Sequence, residues 1–128
     1  MPRSIILEFP FLPPPELRGN TRAHWAAIAN KKQDIKDAVW GRLDRIGHVW
    51  KMPAAALEVT AYWCGKPIDR DNFTYGLKAY IDAIVEYGIL EDDSPEYIRG
   101  IVVDYVRVKH RDEVRMVLEI QEAPDGTE

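Results

Sequence analysis

The hydrophobic period changes several times along this chain, and those changes restrict the fold more than any other feature does. Ser4-Ile5-Ile6-Leu7-Glu8-Phe9 reads as a short strand, stopped by Pro10 and then by Pro13-Pro14-Pro15, which cannot continue a ladder. From about Ala23 the apolar residues Trp25, Ile28, Ile35, Val39, Leu43 and Ile46 fall at three- and four-residue steps or their sums. That is the period of an amphipathic helix, with Gly47 as its stop. Between about Ala56 and Cys64 the period returns to two, with Leu57, Val59, Ala61 and Trp63 on one face and Glu58, Thr60 and Tyr62 on the other. Gly65 and Pro67 close this strand. A second helix is predicted over about Phe73 to Tyr87, with Phe73, Leu77, Ile81, Ile84 and Val85 as its stripe and Gly88 as its end. Ile101 to Lys109 and Val114 to Ile120 read as two strands separated by His110-Arg111-Asp112-Glu113, a hairpin candidate.

The expected fold is therefore mixed α/β (α+β) in the order βαβαββ, a small mixed sheet with two main helices. The 128 residues, 46% of them apolar, suit a single domain with one core and leave no room for a second. Residues 10–22 are expected to form a proline-rich loop, and residues 122–128 a flexible tail. The single Cys64 excludes an internal disulfide and a cysteine-rich zinc site, and reads as a small buried thiol of a protein from a reducing compartment. With no apolar signal region and no apolar run of membrane-spanning length, the expectation is a soluble cytoplasmic protein with no membrane partner.

Charge is unevenly spread. The formal net charge is −4, yet residues 17–51 hold eight basic side chains (Arg18, Arg22, Lys31, Lys32, Lys36, Arg42, Arg45, Lys51) against three acidic ones (Asp34, Asp37, Asp44). A basic face for phosphates is compatible with this pattern, and so is an ordinary solvated helix. The three histidines have no metal-ligand spacing and read as surface or local hydrogen-bonding groups, while Trp25, Trp40, Trp50 and Trp63 read as core or interface packing rather than as stacking platforms.

The chemistry-bearing stretch is Asp69-Arg70-Asp71-Asn72, followed by Lys78, Asp82 and the pair Asp92-Asp93. Carboxylates at i and i+2 of an extended or turn segment lie on the same side, so Asp69 and Asp71 can converge on a hard cation, with Asp93 closing the site across a loop. The competing reading makes Asp71 or Asn72 the cap of the following helix. Lys78 and Asp82 are one turn apart, which also fits a plain surface ion pair of about 0.3 to 0.5 kcal/mol.

Asp69-Arg70-Asp71-Asn72-Phe73, Leu77-Lys78, Ile81-Asp82, Gly88 and Asp92-Asp93-Ser94-Pro95 together resemble the signature of the RusA family of Holliday-junction resolvases, endonucleases common in phages and prophages. Leu12-Pro13-Pro14-Pro15-Glu16-Leu17, Asn20, Arg22 and His24-Trp25 are similar to the N-terminal motif of the phage branch, so the resemblance runs from about Pro10 to Glu119. It implies a Mg2+-dependent enzyme, with Mn2+ as a substitute, that resolves four-way DNA junctions by paired cuts in recombination and repair. It further implies a homodimer in a bacterial or phage-infected cell. By position, Asp69, Asp71 and Asp93 match the catalytic, metal-associated carboxylates and Lys78 the catalytic lysine; Asn72, Asp82 and Asp92 are supporting candidates. Lys78 stands a few residues further from Asp71 than in the best-known member, and the loop from Ser94 to Gly100 is longer. Candidate DNA-backbone contacts are Arg18, Asn20, Arg22, Lys31, Lys32 and Arg70. Two alternatives remain: a branched-DNA-binding accessory protein of the same fold that does not cleave, and a metal-free structural dimer with a solvated acidic loop.

Overall fold

The computed structural model describes residues 3–19 and 21–124. Four strands, β1 (Ser4–Phe9), β2 (Ala54–Trp63), β3 (Ile98–Arg107) and β4 (Arg115–Ala123), and three helices, α1 (Trp25–Ile46), α2 (Arg70–Gly76) and α3 (Lys78–Tyr87), form a mixed α+β fold. The sheet order is β1-β4-β2-β3, with β2 and β3 parallel and both other pairings antiparallel. The mixed order βαβαββ is present, with its second helical segment divided in two.

Alternation decides which strands are central. On β4, Met116, Leu118 and Ile120 are buried. The register places them between β1 and β2 in three cross-strand rows: Phe9-Met116-Ala61, Leu7-Leu118-Val59 and Ile5-Ile120-Leu57. One face of the sheet is thereby apolar throughout, and the helices cover it. Ile35, Val39 and Leu43 of α1 and Tyr80, Ile81 and Ile84 of α3 complete the cluster, each aliphatic side chain contributing roughly 1.5 to 3 kcal/mol by its burial. Between the two helices the Trp40 indole N–H donates to the Ala83 carbonyl at 2.9 Å, and Lys36 pairs with Glu86 at 2.9 Å. The opposite face of the sheet presents Ile6, Glu119, Glu58 and Val102 in one row, with Ile6 and Val102 exposed.

The expected hairpin between the last two strands does not form, because β2 stands between them. β3 is an edge strand, largely exposed, with Ile101, Val102 and Val106 open to solvent, whereas the regular burial of β4 needs a neighbour on each side. Residues 108–114 cross the end of β2: the Val108 N–H donates to the Trp63 carbonyl at 2.8 Å, and Cys64 Sγ lies 3.6 Å from the Lys109 carbonyl. β4 also extends further than expected. Residues 122 and 123, assigned from sequence to a flexible tail, pair with Ala55 and Ala54, while 125–128 lie outside the described residues.

The helix predicted from Phe73 to Tyr87 starts earlier, at Arg70, and breaks at Leu77. There the backbone tightens: Leu77 N–H donates to the Thr74 carbonyl and Tyr80 N–H to the Leu77 carbonyl, both three-residue bonds. The break coincides with a close approach of the proline-rich loop. A Cβ at Gly76 would lie 2.8 Å from Pro13 Cβ, so only glycine lets the loop seat there. The loop is braced from its other side by the Arg18 Nε–H, which donates to the Pro13 carbonyl at 2.9 Å. Gly76→Ala is expected to lower stability by about 1 to 3 kcal/mol through overpacking. Thermal unfolding reads this as a fall of several degrees in Tm, and an unchanged Tm would remove the Pro13 contact as a constraint.

Candidate active site

Three segments far apart in sequence lie along α2 and at the start of α3. The proline-rich loop lies along α2: besides Pro13 against Gly76, a Cβ at Gly19 would stand 3.1 Å from Asn72 Oδ1 and 3.4 Å from Tyr75 Cβ. The second segment is the acidic one. Asp69 is the N-cap of α2, its Oδ1 accepting from the backbone N–H groups of Asp71 at 2.9 Å and Asn72 at 3.2 Å. The cap is therefore Asp69 and not Asp71 or Asn72, because the helix begins three residues before the expected start. Asp71 sits exposed in the first turn, where a negative charge is favoured by the orphan N–H groups.

The third segment is the loop between α3 and β3. Ile89 and Leu90 are buried, Met52 N–H donates to the Ile89 carbonyl at 2.7 Å, and the N–H groups of Tyr97 and Ile98 both donate to the Ser94 carbonyl at 2.9 Å. These anchors hold Asp93 over the start of α3, where Lys78 Nζ lies 3.7 Å from Asp93 Oδ2 and 3.7 Å from Asp82 Oδ1. All three side chains remain substantially exposed, so each pair is loose and contributes about 1 kcal/mol or less. Asp92 is exposed next to Asp93.

Lys78 is thus gathered with Asp93 and Asp82, while Asp69 and Asp71 occupy the start of α2. Among the described residues no three His, Cys, Asp or Glu side chains are grouped so that together they could hold a metal ion. The three-carboxylate convergence expected of Asp69, Asp71 and Asp93 is not formed: Asp69 turns one oxygen onto its own helix and Asp93 turns to Lys78.

The basic candidates divide by what they touch. Arg18 is half-buried, with burial pushing its guanidinium pKa below the usual arginine value, and its Nε–H braces the loop. Lys31 pairs with Asp34 at 3.8 Å. Arg22 and Lys32 are exposed. Arg70 stacks on Tyr105, 4.9 Å from the ring centre; burial pushes that phenol up, the Arg70 charge opposes the shift, and Asp69 and Asp71 reinforce it. Asn20 lies outside the described residues.

Several features here carry no sequence signal. Arg107, 5.0 Å above Trp63, is a second arginine stacked on an aromatic near the acidic segment. Trp25, expected to pack, is 74% exposed and Tyr75 is 62% exposed, whereas Trp40 packs edge-on against Tyr87 as expected. A cleft of about 140 Å³ opens beside Lys78, Asp82, Lys32 and Tyr75. His24 caps α1, its Nδ1 accepting from Ala26 N–H at 3.2 Å, in keeping with the local role expected of it. No family model matches the chain, and no curated protein matches it. No helix among the described residues is long and apolar enough to cross a membrane.

Asp69 has a structural role separable from any chemistry. Asp69→Ala is expected to cost about 1 kcal/mol in denaturant unfolding, and Asp69→Asn close to nothing, because asparagine caps as well as aspartate. Equal destabilisation by both would mean that the charge, not the cap, holds the start of α2.

Proposed function

We propose that this chain is a metal-dependent, structure-selective DNA endonuclease that resolves four-way junctions, as the resemblance to RusA-type resolvases implies. The observation that carries the reading is spatial. The N-terminal motif lies against Asn72 and Gly76 of α2, whose first turn carries Asp69 and Asp71, and Lys78 at the start of the next helix faces Asp93, although up to about eighty residues separate these segments in sequence.

The donor set fits a small hard cation. Asp69 uses Oδ1 for its cap, and its Oδ2 carries no hydrogen bond among the described residues. Asp71 and Asp93 are exposed carboxylates. Mg2+ needs only one or two protein carboxylates, because waters and substrate phosphate oxygens complete its shell, so a group of three preassembled ligands is not a requirement. Asp69, Asp71 and Asp93 are the residues that would hold it. Bound Mg2+, or Mn2+ in its place, would supply an activated water and Lewis-acid stabilisation of the phosphoryl and departing 3′ oxygens.

The chain's own contribution is to place charge. Lys78 is held only by two loose, exposed contacts, so its ammonium can exchange a carboxylate for a phosphate oxygen at little expense and stabilise the charge that grows in the transition state. Asp82, one turn on, keeps the lysine aimed along α3 in the absence of DNA. Asp93 faces Lys78 through Oδ2 and is exposed, so it is available as a ligand. Arg18, Asn20, Arg22, Lys31, Lys32 and Arg70 are the candidate backbone contacts of this reading, and Arg107 joins them. Paired incisions in opposed strands are met most simply by a two-fold homodimer with one site per subunit.

Purified protein incubated with a synthetic four-way junction and with linear duplex, each with Mg2+ and with EDTA, should nick the junction symmetrically in Mg2+ alone. Binding without cleavage would favour the accessory-protein alternative. Asp71→Asn should abolish nicking while leaving junction affinity equal or tighter, and full activity of that variant would sink the site. Lys78→Ala should slow single-turnover cleavage by roughly 10²-fold with affinity within about twofold; a loss of affinity alone would make Lys78 a backbone clamp. Light scattering at micromolar concentration should give about twice the 14.7 kDa chain mass.

A further inference from the structure

The outer edge of β3 lacks a partner strand. In its parallel pairing with β2, Asp104 stands opposite Thr60, and beyond the strand the Val108 N–H donates to the Trp63 carbonyl at 2.8 Å. Backbone groups of successive strand residues point to alternate sides, so from Gly100 onward the even-numbered residues bond to β2. Ile101, Val103 and Tyr105 turn their N–H and C=O groups outward, and among the described residues no backbone group bonds to them. Open edges are usually blunted by proline, lysine or a bulge. Gly100-Ile101-Val102-Val103-Asp104-Tyr105-Val106 contains neither proline nor lysine, and the register shift of this pairing lies before it, at the start of the strand. Ile101, Val102 and Val106 are exposed, Val102 to 54%.

Symmetry and charge select what can pair there. A second β3 running antiparallel about a two-fold axis normal to the sheet keeps like faces together, so each residue opposes one of its own parity. With the axis at Val103, Ile101 opposes Tyr105 and Val103 opposes itself, so every outward group of these three residues finds a partner. On the other face Val102 opposes Asp104 and Gly100 opposes Val106. The like charges Arg99 and Arg107 meet only at the ends, where both are exposed and free to part. An axis at Asp104 would set two carboxylates against each other, and an axis at Val102 would oppose Tyr105 to Arg99, inside the register shift. Pairing β3 with the β1 edge of a next copy repeats head to tail and builds a chain of copies rather than a pair.

We infer that β3 is the interface between two copies of this chain, paired antiparallel about Val103 into one continuous sheet. The inference deepens the homodimer of the endonuclease reading and rests on that reading for the occupant being a second copy. Because the axis is normal to the sheet, the helices of both copies lie on one side of it. Both Asp69–Asn72 stretches, which follow β2 beside the interface, then face that side. With Arg107 opposite Arg99, the carboxyl ends of the two β3 strands lie roughly 26 Å apart, and one junction is offered both sites from a single direction.

Light scattering at micromolar concentration without DNA reads the pairing directly. Ile101→Pro removes an outward donor and no bond to β2, the position at which an edge strand tolerates proline. It should raise the dimer dissociation constant roughly tenfold or more, with far-UV circular dichroism unchanged. A mixture of Val102→Cys and Asp104→Cys chains should form a disulfide-linked dimer on mild oxidation, because opposed residues of this kind stand about 4.5 Å apart at Cα. Either variant alone, which also keeps Cys64, should not. A dimer indifferent to Ile101→Pro, a mixture that links no better than either variant alone, a monomeric wild type, or masses climbing with concentration beyond two chains would each overturn the interface. Where Ile101→Pro loses its dichroism, the cysteine mixture decides. Nicking of the junction in Mg2+ is scored separately: a wild type that nicks while the mixture fails to link removes this interface and leaves the endonuclease. A wild type that never nicks while the mixture links keeps the interface and removes the cleavage reading.

Discussion

Pro13 resting on Gly76 is the contact from which the rest of the site follows. Because residue 76 has no side chain, the proline-rich loop can lie on α2, and a Cβ there would meet Pro13 at 2.8 Å. The helical path breaks at that point, so Lys78 becomes the first residue of a new helix rather than a mid-helix position, and its side chain is presented to Asp93. The same seating brings Leu17 and Thr21 against Ile28 and Tyr75, which makes the cleft. Loop, break, lysine and cleft are four results of one close approach.

The sheet behind this region is built to be rigid where the site needs a support and open where it does not. Three rows of apolar side chains run through β1, β4 and β2 beneath α1 and α3, so the strand leading to Asp69 emerges from the best-buried part of the molecule. α3 is tied to α1 by Trp40 and by the Lys36–Glu86 pair. The acidic residues themselves stand on the ends of these supports and stay exposed. Burial would have penalised each charge by desolvation.

Much of the fold was legible because local rules and tertiary packing agree. The first strand has the expected limits, α1 ends at Gly47 in the left-handed conformation that glycine favours, and α3 ends the same way at Gly88. The hairpin was misread because strand length and turn residues say nothing about which neighbour a strand takes; Ile101, Val102, Val103, Tyr105 and Val106 look like a central strand and form an edge. The break at Leu77 depends on a proline far away in sequence and leaves no periodic trace. In the site, the Lys78–Asp82 pair followed from helical spacing, but the approach of Asp93 to Lys78 did not, because Asp93 was assigned to a metal with Asp69 and Asp71. The capping by Asp69 was assigned to its neighbours because the helix start was placed too late. Trp25 fitted the apolar stripe by phase, yet the stripe runs past the end of the core, and its first member stands exposed.

The position of β4 has a consequence for synthesis. Among the described residues β1 pairs with no strand except β4, Ser4 opposite Gln121 and Phe9 opposite Met116, and β2 acquires its antiparallel neighbour from the same late segment. While the polypeptide leaves the ribosome, the backbone of β1 therefore waits without its strand partner until β4 has been translated. Helices α1 to α3 can pair locally during that interval, but the sheet closes only when β4 slides between two strands already made. Non-local pairing of this kind makes closure slow and leaves the first strand open to chaperones in the meantime.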